Sequence, residues 1–125
     1  MALTKTTREK DTVSVTSPSL TTLIELKTDS YDKLNCQFKT ITQSLDQFVI
    51  SAKTGPDADY QILYSSAGSY TTPSGLLETC SGDLTTQAAG TSGSFTMAVS
   101  GFYQVKIQAS AATGTASVTI YTGLR

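Results

Sequence analysis

A chain of 125 residues has room for one domain with a real core and not for two. Nine basic against ten acidic residues leave a net charge of −1, so no overall field draws the protein to nucleic acid. The absence of histidine excludes Ser-His-Asp and Cys-His catalysis and His-ligated zinc.

Only 38% of residues are hydrophobic and 15% charged, and the balance is made up by 22 Thr and 16 Ser. Thr is β-branched and suits strands, while Ser and Gly suit turns. The composition therefore predicts an all-β protein with many short strands and an uncharged, polar surface. No apolar run approaches the length of a membrane span. Met1-Ala2-Leu3-Thr4-Lys5 lacks the apolar middle of a secretory signal, so export by that route is not expected.

Residues 1–11 show no periodicity and carry Lys5, Arg8, Glu9 and Lys10. They read as an extended arm ordered on a neighbouring subunit, or else as a frayed end, with a single domain over 12–125. Thr12 to Thr16 alternates and predicts a first strand, broken by Ser17-Pro18-Ser19. Alternation resumes over 20–27, with Leu20, Thr22, Ile24 and Leu26 on one face. It returns over 34–42, through Leu34, Cys36, Phe38 and Thr40, and over 47–52, through Phe48, Ile50 and Ala52. Lys53 to Asp59, with Gly55-Pro56 at its centre, is a turn. Tyr60, Ile62 and Tyr64 then share a face of the next strand. The Ser-, Thr- and Gly-rich stretch 65–93 is long for a loop, and a short strand or helical turn is expected near 76–80.

The last third is the most regular. Phe95, Met97 and Val99 alternate, then Tyr103, Val105, Ile107 and Ala109, then Ala116, Val118 and Ile120, with Gly101 and Gly114 in the turns between them. Seven or eight strands at this spacing predict an antiparallel β-sandwich, jelly-roll-like. The expected core comprises Phe38, Phe48, Ile50, Ile62, Val105, Ile107, Val118 and Ile120.

Candidate sites are few. Asp57 and Asp59, with Asp46, supply oxygen ligands for calcium, but Asp is also what a Pro-containing turn favours, and that plainer reading is preferred. Glu25 and Glu78 are the carboxylates to test as a glycosidase pair, without a motif to support them. Cys36 reads as a buried thiol and Cys80 as a residue near a turn, and a disulfide between them is the less favoured reading. The expectation is therefore no enzyme, no cofactor and no metal. Tyr31, Tyr70 and Tyr121 are candidates for a sugar-stacking platform or, more simply, for core-edge and subunit-contact positions.

Gly101-Phe102-Tyr103-Gln104-Val105-Lys106-Ile107, followed after a turn by Ser117-Val118-Thr119-Ile120-Tyr121, resembles small jelly-roll proteins of tailed-phage virions. The resemblance covers residues 20 to 122. It consists of Thr/Ser-rich strands, a Gly-aromatic entry to the penultimate strand, and the lack of catalytic residues. By size it points to capsid decoration, or cement, proteins. It implies a homotrimer on the capsid surface, assembled in the host cytoplasm and bound to the major capsid protein. Neither nucleic acid nor membrane is an expected partner. Subunit contacts are expected at Lys5, Arg8, Lys10, Tyr31, Tyr70 and Tyr121. The other function considered is a carbohydrate- or receptor-binding module of a tail or fibre.

Overall fold

The computed structural model describes residues 7–41, 45–65, 77–81 and 92–125. Among them run nine strands: β1 (Thr7–Thr16), β2 (Thr21–Lys27), β3 (Lys33–Ile41), β4 (Leu45–Lys53), β5 (Gln61–Ser65), β6 (Leu77–Ser81), β7 (Ser92–Ala98), β8 (Gln104–Ala111) and β9 (Thr115–Leu124). They form a five-stranded sheet, β1-β9-β3-β7-β6, and a four-stranded sheet, β2-β8-β4-β5.

Every pairing is antiparallel, and four of them nest: β1 with β9, β2 with β8, β3 with β7, and β4 with β5. This is one long hairpin folded over on itself, with its tip at β4-β5. β3 then joins β9, and β4 joins β8, to close each sheet. The result is a jelly roll, with β6 added outside β7. The expected fold class stands, with one strand more than the count read from alternation.

The core lies between the sheets. Phe38 and Phe95 come from the five-stranded sheet and Phe48 from the other. Phe48 stacks on Phe38 at 5.0 Å and meets Phe95 edge-on at 6.2 Å, contacts worth about 0.5–1.5 kcal/mol each beyond area burial. Val105, Ile107, Val118, Ile120, Ile50, Met97 and Val99 are fully buried around them. Turn chemistry agrees with the sequence: Gly101 and Gly114 adopt φ of 90° and 58°, which favour Gly. Buried Thr28 ties β2 to the β7–β8 connection, donating its amide to Tyr103 O and its hydroxyl to Phe102 O, both at 2.9 Å.

Two expectations need correction. Ile62 is 43% exposed, not in the core. The pairing of β5 shifts by one residue, Ile50 opposite Tyr64 but Ser51 opposite Ile62, and Leu63 and Tyr64 pack against the core instead. Such a bulge puts two residues against one and reverses the alternation beyond it. The second concerns the arm. β1 begins at Thr7 and pairs residue for residue with β9 up to Thr16 opposite Thr115, so residues 7–11 belong to the sheet and the boundary at residue 12 does not hold. Main-chain pairing does not require an apolar face, which is why a charged stretch can supply a strand at a sheet edge.

Candidate interaction face

The outer face of the five-stranded sheet is built by the polar phase of its strands. Three of its rows lie at the centre. Lys10, Tyr121, Gln37 and Ser94 stand opposite one another on β1, β9, β3 and β7; Arg8, Gly123, Asn35 and Thr96 form the next row, and Thr12, Thr119, Lys39 and Ser92 the one beyond. No Asp or Glu occupies these rows. Small hydroxyl and amide side chains cost less to desolvate than Lys or Glu, which suits a face that meets another surface.

The Lys10 ammonium lies 5.4 Å from the centre of the Tyr121 ring, within cation–π range. Tyr121 is 43% exposed, the only large aromatic so exposed among the described residues. Beside it Gly123 adds no side chain, and a Cβ built there would meet nothing within 4 Å. A shallow, open depression of about 240 Å³ results, lined by Asn35, Cys36, Gln37, Tyr121, Thr122 and Gly123. Cys36 and Thr122 have buried side chains, so they contribute backbone to its floor. Thr96 donates its hydroxyl to Asn35 Oδ1 at 3.0 Å and Thr12 and Thr119 share a hydroxyl bond at 3.1 Å, fixing side chains that would otherwise rotate freely.

Of the six expected contact residues, Lys10 and Tyr121 are brought together here, and Arg8 stands one row away, opposite Gly123. Tyr31 is elsewhere, half-buried and packed against the core. Lys5 and Tyr70 lie outside the described residues. Asn35, Gln37 and Gly123 were not expected. The available signal was the phase of Asn35, Gln37 and Lys39, which alternates against Leu34, Cys36 and Phe38.

A second cluster sits on the outer face of the other sheet. The Tyr60 hydroxyl donates to Glu25 Oε2 at 2.7 Å, and the Lys106 and Lys53 ammoniums lie 4.3 and 5.1 Å from the ring centre. Burial, then the hydrogen bond to Glu25 and its charge, hold the phenol above its ordinary pKa. Glu25 is thus committed to Tyr60, and Glu78 belongs to β6 at the far edge of the opposite sheet. Asp57 and Asp59 are exposed in the β4–β5 turn, whereas Asp46 starts β4 at its other end. No group of three potential metal ligands occurs among the described residues.

No family model matches the chain, and no curated protein sequence does. Solved structures do. The SPBc2 prophage-derived protein YomS covers 98% of this chain and 98% of its own, at a TM-score of 0.55 and 14% identity. The chain shares that protein's fold. A protein of the Bacillus endospore appendages, described as disulfide-linked pili, matches over 99% of this chain and 93% of its own, at a TM-score of 0.42 and 16% identity. A structure of infectious bursal disease virus, Gx strain, matches over 96% of this chain and 37% of its own, at 0.38 and 11%.

Proposed function

We propose that this chain is a structural protein of a phage-type particle, and more narrowly a capsid decoration protein that binds across neighbouring shell subunits. The observation that carries the reading is the fold shared with a prophage-derived protein over 98% of each chain. Its physical content is a stiff sandwich that meets its partners through surface area. The five-stranded sheet offers such a surface, with Thr, Ser, Asn and Gln in the field and Lys10 and Lys39 among them.

In this reading the partner is the major capsid protein, and the protein acts as a homotrimer on the outside of the head. Trimerisation repeats one modest contact at several points, so a weak site per subunit yields tight attachment overall. No enzymatic step, cofactor, nucleic acid or membrane enters the mechanism.

Co-sedimentation with undecorated shells of the phage or prophage that encodes the chain tests this. The reading predicts saturable binding, a fixed number of copies per shell, and weaker binding by a Lys10→Glu, Lys39→Glu double variant. Absence of the protein from the shell pellet at every concentration would end it.

A further inference from the structure

Beyond any role on a shell, the geometry points to the depression over Gly123 as a subsite for an acidic sugar unit, a pyranose bearing a carboxylate such as a uronate. Its size comes first. About 240 Å³ is below the range of roughly 300–1,000 Å³ typical for a drug-sized ligand, and suits one ring. Its openness suits a flat ring laid on a sheet more than a side chain inserted end-on.

The walls supply the chemistry of sugar recognition. Tyr121 exposes an aromatic ring at the rim, a surface for the C–H face of a pyranose. Asn35 accepts from the Thr96 hydroxyl through Oδ1, which leaves its NH₂ as a fixed donor to a hydroxyl or carboxylate oxygen. Gln37 offers a second amide, with both donor and acceptor, in the adjacent row. Charge then selects among sugars. Lys10 stands against Tyr121. Its row and the next rows of the same phase, those of Arg8 and Thr12, contain no Asp or Glu, which on β1 fall at Glu9 and Asp11 in the alternate phase. An anionic unit is therefore favoured over a neutral one.

Gly123 gives the test its sharpest variant. Its backbone is not in the left-handed region and a Cβ meets open space, so a side chain can be added at this position, and Gly123→Val places its bulk in the depression. The experiment is a titration of the ¹⁵N-labelled full chain with trigalacturonate, with maltotriose and with hexa-aspartate, each alone. The expected result is saturable shifts with trigalacturonate at the amides of Asn35, Gln37, Tyr121 and Gly123, with at least tenfold weaker binding of the other two probes. Gly123→Val and the exposed Lys10→Gln should each weaken trigalacturonate about tenfold, while Lys106→Gln on the opposite sheet leaves it unchanged.

Absence of saturable shifts at these amides overturns the assignment. Equal binding of maltotriose overturns the acidic preference, and equal binding of hexa-aspartate makes the depression a protein contact instead. An equal loss in Lys106→Gln would reduce the effect to overall charge.

Discussion

Cys36 and Cys80 stand opposite the same residue, Phe95, from the two sides of β7. Their backbones are thus two strand spacings apart, about 9.5 Å, and Cα atoms more than about 7 Å apart cannot be bridged without moving the backbone. Within one folded chain the two cannot be joined to each other. Intact-mass measurement after air oxidation of the monomer should show no loss of two hydrogens, and thiol titration of the denatured chain should find both groups. A bridged monomer would mean that β6 is misplaced in register.

Burial also pushes the Cys36 thiol well above its ordinary value, and this gives stability a pH dependence of known sign. Below about pH 8.5 the thiol is protonated in folded and unfolded chains alike. Above it the unfolded chain releases a proton that the folded chain retains, so stability falls as pH rises. Cys36→Val should flatten the stability profile between about pH 8.5 and 10, where the lost slope approaches 1.4 kcal/mol per pH unit. An unchanged slope in urea melts would contradict the buried placement.

Ile107 and Ile62 make a matched pair of opposite burial. Ile107 is fully buried, and Ile107→Ala should cost about 2–5 kcal/mol. Ile62→Ala should stay within about 0.5 kcal/mol, as surface changes do. A cost above about 2 kcal/mol at Ile62 would restore the unbulged reading of β5.

That contrast marks how far the sequence could be read. Period-two alternation gives the inward faces of β3, β7, β8 and β9 correctly, because β3 pairs with β7 and β9 without a shift and the extra residues opposite β7 and β8 sit on their partners β6, β2 and β4. It fails where a bulge changes the phase. On β5 the shift moves Leu63 and Tyr64 onto the core, and on β2 a shift between Thr22 and Ile24 buries Leu23 together with Ile24. A bulge is set by the partner strand, and no local residue pattern announces it. The interaction face was half legible for a similar reason. Lys10 and Tyr121 each stood out, but their adjacency depends on the two ends of the chain meeting as β1 and β9. The depression depends on the missing side chain of Gly123, which reads in sequence as one more small residue.

Two buried hydroxyls, Thr40 Oγ1 and Ser110 Oγ, have no hydrogen-bond partner among the described residues. An unsatisfied buried polar group costs about 1–3 kcal/mol. Thr40→Val and Ser110→Ala should each raise stability by about 1 kcal/mol, read from urea midpoints at constant slope. Destabilisation of either would mean that the hydroxyl has a partner in solution.

Deleting residues 1–11 removes Thr7–Asp11 from their pairing with Ile120–Leu124. The truncated chain should remain folded but lose about 1–3 kcal/mol, seen as several degrees in Tm. An unchanged Tm would return these residues to the status of a free arm.

Reinforcement of a shell is read most directly from the temperature at which undecorated shells disassemble, recorded with and without saturating protein. A ligand that binds only the intact shell raises that temperature by mass action. A decoration protein should give a rise of several degrees that grows with protein concentration and shrinks for the Lys10→Glu, Lys39→Glu variant. A disassembly temperature unmoved by protein at every concentration would contradict that role.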